Sequence, residues 1–182
     1  MPSVQDQLRD TGLELAGGFC VGLGQSRSPG VQNALLLEDF SAEEADALGA
    51  AMPMLRAAPG QVLIREGDNG NWMLLVLSGT VDVTKLRPDG GASRLAVVKG
   101  GATLGEMSMF DGEPRNATCT AIDQVQAGLL EREAISALIR EQPAVGAKLL
   151  VKLIQLVAQR LRNTNNQLLK LLQDRSDDAP RD

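Results

Sequence analysis

The chain contains no histidine and no tyrosine. Without imidazole there is no His-based general acid or base and no His-ligated metal. Rings as a class are scarce: Trp72, Phe19, Phe40 and Phe110 are all there are, too few for a platform that stacks single-stranded bases. Cysteine is limited to Cys20 and Cys119. Two are too few for a disulfide framework and read most simply as reduced thiols of a cytoplasmic protein. Cys119 alternates into a predicted strand, so it is expected to be buried rather than reactive. No apolar run approaches a membrane span, and no basic-then-apolar leader opens the chain, so neither a span nor a signal peptide is expected. The net charge of −5 and the pI near 4.8 argue against a broad nucleic-acid footprint. Lacking histidine and any carboxylate-rich metal cluster, the chain has little with which to hydrolyse a phosphodiester, and it is expected not to be an enzyme.

What is present divides the 182 residues into one domain with appendages. Residues 1–30 are broken by Gly12, Gly17, Gly18, Gly22, Gly24 and Gly30; a short helix over residues 5–15 followed by a loosely packed tail is expected there. Ser41 with Glu44 three positions on makes a capping box, which predicts a helix over 42–52. After Pro59-Gly60 the pattern becomes extended. Short apolar or alternating runs at 62–64, 73–77, 81–83, 95–98, 118–122 and 126–130 are separated by Gly67-Asp68, Ser78-Gly79, Pro88–Gly91 and Gly100-Gly101. Strands spaced this way read as a sandwich or barrel, with Asp89-Gly90 at the tip of a hairpin.

From Glu131 the pattern is helical, with a short helix ending near Gln142-Pro143 and a long one over 144–173. Ala147, Leu150, Ile154, Val157, Leu161, Thr164, Leu168 and Leu171 alternate by three and four. This is the seam of a parallel coiled coil, and it predicts a homodimer. A second stripe, Leu149, Leu153 and Leu156, would face the β domain; it turns polar at Arg160, Asn163 and Gln167, where a polar surface is expected to lie against the helix.

Two segments carry a resemblance. LIREGDNGNWMLLVLSG at 63–79 has two apolar residues, a Gly-Asp turn, four apolar residues and a glycine. LGEMSMFDGEPRNATCTA at 104–121 has an apolar residue, Gly-Glu, a short apolar helix, Pro-Arg, a small polar residue, Ala and Thr. In this order and spacing they resemble the two halves of the cyclic-nucleotide-binding domain, the second being its phosphate-binding cassette, and the resemblance extends over about residues 36–173. The continuation from Gln124 through Pro143 into the long helix is similar to the catabolite activator branch. The resemblance implies a mainly β fold with helices: a β-roll or jelly roll over 31–142, flanked by an N-terminal helix, with the poorly defined segment 1–30 before it, a coiled-coil dimerisation helix over 143–173 and a charged tail over 174–182.

It also implies a ligand, cAMP ahead of cGMP, and no cofactor. A fixed guanidinium at Arg115 suits the phosphate, and backbone N–H groups around Glu106 and at Asn116-Ala117 complete the anion nest. Glu106 would accept from the ribose 2′-hydroxyl, and Gly105 would let the backbone approach the sugar. The expected ligand-binding set is Leu104, Gly105, Glu106, Met107, Ser108, Arg115, Asn116, Ala117, Thr118 and Val97, with Arg160, Asn163 and Thr164 as candidates to cap the base. Met107, Met109 and Trp72 also read as core residues. Asn116 departs from the Ala, Ser or Thr usual in the family. No helix-turn-helix follows the long helix in this sequence, so the expectation is a stand-alone sensor signalling to an effector protein, with no direct DNA binding. The alternatives are a dimeric scaffold with a degenerate pocket and a receptor for a cyclic dinucleotide.

Overall fold

The computed structural model describes Val4, Gln7, Leu8, residues 12–26 and residues 28–177. Their strands form two antiparallel sheets. One has the order β1 (Glu14–Phe19), β2 (Pro53–Ala57), β9 (Val125–Glu131), β4 (Trp72–Ser78), β7 (Thr103–Leu104). The other runs β3 (Val62–Ile64), β8 (Thr118–Ala121), β5 (Thr80–Leu86), β6 (Ala92–Lys99). The helices are α1 (Pro29–Gln32), α2 (Ala42–Ala50), α3 (Glu106–Asp111), α4 (Arg132–Glu141) and α5 (Pro143–Asp177). This is the jelly roll with a long C-terminal helix that the family resemblance implies, and it fits the sandwich or barrel read from the glycine-punctuated strand pattern.

Strand β4 explains the layering. It is apolar without alternation, because both of its faces are covered. Trp72, Leu74 and Val76 point into the space between the sheets with Leu55, Leu63, Val81, Leu104, Cys119 and Leu129. Met73, Leu75 and Leu77 point the other way, into a second core with Leu36, Leu48, Met52, Met109, Leu138, Leu149 and Leu153. The helices are thus packed on the outside of the roll through the back of the strand that also lines its inside. Gly128 on the neighbouring β9 lets the Met52 side chain pack close: a Cβ there would lie 2.3 Å from the Met52 methyl, which would have to shift.

Helix α2 begins as the capping box predicts, with Ser41 Oγ accepting from the Glu44 N–H and the Glu44 carboxylate accepting from the Ser41 N–H. It ends at Ala50, two residues short of the predicted end, as the chain turns into β2. Residues 12–26 differ from the sequence expectation. Rather than a loose tail they contain β1, paired with β2 through Glu14↔Arg56 and Leu15↔Leu55, followed by the buried Cys20 and Leu23. The glycines that interrupt a helical period serve a bulge between Leu15 and Phe19, where Gly17 has φ 68°. Of the helix expected over 5–15, Gln7 and Leu8 are helical, Gln5, Asp6 and residues 9–11 lie outside the described residues, and Glu14-Leu15 are strand.

The first turns of α5 dock by Leu149 and Leu153, and by two lysines. Lys148 pairs with Glu44 and donates to the Asp39 carbonyl at 2.9 Å. Lys152, itself buried, pairs with Asp39 and Glu38. Asp39 has φ 69°, a left-handed conformation that aspartate tolerates better than most residues. The Lys152 hydrogen bond and charge hold the Asp39 carboxyl below the usual carboxylate range, and Lys148 does the same for Glu44. A carboxyl depressed by folding adds stability that is complete above its unfolded pKa and lost as pH falls through its folded one. The stability difference between the parent and Lys152→Met is therefore expected to move against the parent as pH drops below about 4, read by urea denaturation across the acid range. A difference that stays constant there would show that the pair contributes nothing.

Candidate ligand-binding site

The two sequence segments meet at one residue. Gly67 N–H donates to the Arg115 carbonyl at 2.8 Å, and Arg115 N–H donates to the Asp68 carbonyl at 2.8 Å. The Gly-Asp turn of the first segment thereby clamps the backbone of the arginine in the second. Strand β7 ends at Leu104, Gly105 turns the chain with φ 81°, and α3 starts at Glu106 and closes at Gly112, φ 76°. The return to β8 passes through Arg115.

The Arg115 side chain is 3% exposed. Its guanidinium donates to the Gly105 carbonyl at 2.6 Å and the Trp72 carbonyl at 2.7 Å, and it lies 4.4 Å from the centre of the Trp72 ring. Among the described residues it has no carboxylate within ion-pair distance. Burial pulls its pKa down to about 10, which still leaves it charged at neutral pH. Gly70 and Gly105 make the room: a Cβ would lie 2.3 Å from Nη2 at the first and 2.5 Å from Nη1 at the second.

Glu106 is 1% exposed. One carboxylate oxygen pairs with Arg160 of α5, whose other terminal nitrogen donates to the Thr103 carbonyl at 3.0 Å. The other oxygen, Oε2, has no hydrogen-bond partner among the described residues, and neither has the buried Thr103 hydroxyl. A buried carboxylate oxygen with no donor is costly, so Glu106 has unused capacity to accept. The polar surface expected opposite Arg160 is this carboxylate.

The rest of the expected set divides. Leu104 and Ser108 are buried, Ala117 is half-buried, and Met109 is core. Met107 is exposed, so its reading as core does not hold. The Thr118 hydroxyl accepts from the Glu66 N–H at 3.0 Å, tying β3 to β8. Asn116 is exposed, and both its carbonyl (2.7 Å) and its side-chain oxygen (2.8 Å) accept from Lys85 Nζ, which also pairs with Glu66. Val97 pairs with Asp82 on the outer face of β5–β6, whereas Val81 and Val98 share the inner one; it is not brought to Glu106 and Arg115. Thr164 donates its hydroxyl to the Arg160 carbonyl one turn back, and Asn163 is exposed. Arg160 itself is engaged at Glu106 rather than standing free to cap a base. Sequence reasoning missed Gly70, Thr103 and Lys85, and it missed what Trp72 does. The apolar run explains Trp72 as core, and nothing local announces its contact with an arginine 43 positions away. Burial pushes the Cys119 thiol up to about 12, in keeping with an unreactive core group.

The cyclic nucleotide-binding domain family matches residues 54–142. The CRP-like cAMP-activated global transcriptional regulator of Mycobacterium tuberculosis is 31% identical over 136 residues, which cover 73% of this chain; the chain spans 59% of the length of that relative. Among solved structures, a cyclic nucleotide-binding domain from Methylobacillus flagellatus KT aligns with a TM-score of 0.74 at 32% identity, covering 90% of each chain. The Thermus thermophilus catabolite activator protein aligns with a TM-score of 0.68 at 31% identity, covering 76% of this chain and 63% of that one. With this family match, its jelly roll and its long C-terminal helix, the chain belongs to the cyclic nucleotide-binding domain family.

Proposed function

We propose that this chain is a receptor for a cyclic mononucleotide, cAMP ahead of cGMP, that passes ligand binding through α5 to a partner protein. The observation that carries the reading is Arg115: a buried, charged guanidinium held by two carbonyls and a ring face, with no anion among the described residues. An unpaired buried cation is expensive, and a cyclic phosphate supplies one delocalised negative charge of the right geometry. Glu106 adds the second half. Its unpartnered Oε2 suits a ribose 2′-hydroxyl as donor. The relative's description as cAMP-activated supports adenine.

Arg160 gives the signal a route. It is the α5 residue that touches Glu106, so a hydroxyl arriving at the same carboxylate alters what the helix holds. The helix presents Ile154, Leu161 and Leu168 at 68%, 61% and 55% exposure, and Leu171 of the same seam falls outside the residues whose side chains are described. A seam this open supports a homodimer through 144–173, with the effector reading the rearranged helices.

Calorimetry should show cAMP binding, and at a hundredfold excess over its dissociation constant the ligand should stabilise the fold by about 2.7 kcal/mol. Arg115→Ala should cost about 2–5 kcal/mol of binding, and Arg115→Lys should recover only part of it. Glu106→Gln should cost less than Arg115→Ala, since an amide oxygen still accepts. If Arg115→Ala folds, by circular dichroism, and binds cAMP as tightly as the parent, the assignment of the phosphate to Arg115 is wrong. No thermal shift with any cyclic mononucleotide at millimolar concentration would leave a scaffold with a degenerate pocket.

Replacing Leu161 and Leu168 together by Glu sets charges into the seam and should convert dimer to monomer in light scattering, with an unchanged circular dichroism spectrum. A double variant that remains dimeric would remove the seam assignment.

A further inference from the structure

Trp72 is the chain's single tryptophan, and it opens β4 with 4% exposure. It meets Arg115 twice. Its carbonyl accepts from Nη2 at 2.7 Å, and its ring face lies 4.4 Å from the guanidinium carbon. The indole is itself fixed, since Nε1–H donates to Gln7 Oε1 at 2.8 Å. On the other sides the guanidinium is closed in by Gly105, whose carbonyl takes a second N–H, and by the backbone of Gly70, which a Cβ would push into it. A long, flexible side chain is thereby held in one orientation before any ligand arrives.

We propose that Trp72 is a positioning residue of the ligand site, its ring and carbonyl holding the Arg115 fork toward an incoming phosphate, and that Gln7 of the N-terminal segment holds the ring. This rests on Arg115 being the phosphate partner. The ring contributes in two ways. It attracts the cation through its negative face, more strongly where water is excluded. It also removes the rotamer freedom that Arg115 would otherwise lose on binding. Leucine offers an apolar side chain with no such face and leaves part of the space empty, phenylalanine keeps a smaller face, and Gln7→Ala leaves the ring but frees its N–H.

The test pairs two measurements on the full chain. In the ligand-free protein, NMR reads the ring-current shift of the Arg115 side-chain protons. It should be large in the parent, reduced in Trp72→Phe and gone in Trp72→Leu. Calorimetry with cAMP is then run in the parent and Arg115→Ala backgrounds. With Arg115 present, Trp72→Leu should weaken binding by about twofold to thirtyfold, the range a cation–π contact spans. Trp72→Phe should fall between, and Gln7→Ala should weaken binding less than Trp72→Leu. In the Arg115→Ala background the same changes should have almost no effect. Equal losses in both backgrounds would make Trp72 a packing residue only and overturn the proposal, as would Arg115 proton shifts that survive in Trp72→Leu. If Trp72→Leu does not fold, Trp72→Phe carries the same cycle. A parent that binds no cAMP would defeat the phosphate reading of Arg115, while the ring-current comparison would still decide whether Trp72 holds the guanidinium.

Discussion

A positive charge taken out of water organises this domain. Arg115 is buried with no carboxylate in ion-pair distance among the described residues, and its neighbours make that tolerable. The Gly67-Asp68 turn exchanges backbone hydrogen bonds with it, two glycines give it space, two carbonyls take its protons and an indole lies beneath it. Replacing any of these by a bulkier or differently charged group acts on the arginine first. The second buried charge, Glu106, is treated differently. It has a cation of its own, but that cation comes from α5, and only one of its two oxygens is satisfied. The site therefore joins a fixed positive centre to a negative one that is shared with a helix.

The two cores explain how a site inside the roll reaches helices outside it. Helix α3 lies at their junction. Its first residue, Glu106, turns toward Arg160, while Met109, three residues on, is fully buried in the helical core and its carbonyl accepts from Arg132 of α4. Strand β4 runs between the same two cores, offering Trp72 to one and Met73 to the other. On the proposed signalling reading, a close-packed interior of this kind would carry a displacement of the cassette to α4 and to the docked part of α5.

Much of this was legible in the sequence, for identifiable reasons. Six strands are short apolar runs bounded by glycine turns, and the Asp89-Gly90 tip and the Ser41/Glu44 box are local signals that tertiary structure does not override. The cassette is a contiguous motif, so Glu106 and Arg115 are visible without any fold. The failures are of a different kind. Strand β1 is rich in glycine and gains its order from pairing with β2, a five-residue strand that follows closely after helix α2. Val97 lies on a strand whose pairing slips between Val83 and Thr84, and a one-residue slip exchanges inside for outside. The Trp72–Arg115 and Arg160–Glu106 contacts join residues 43 and 54 positions apart; their geometry depends on strand register and helix phase, which composition does not encode.

Among the residues whose side chains are described, helix α5 is buried against the roll only in its first half. Val145, Leu149, Lys152 and Leu153 are buried, whereas every residue from 161 to 170 is exposed. From Arg160 to Asp177 the axis extends roughly 25 Å at 1.5 Å per residue. Arg160 stands at the end of this docked stretch, so on the proposed signalling reading its grip on Glu106 would act as a fulcrum. A tilt of about 10° there carries the far end of a rod that long through some 4 Å, roughly a helix radius with its inner side chains. A displacement too small to disturb the packed core would thus be multiplied at the tip into one large enough for another surface to distinguish.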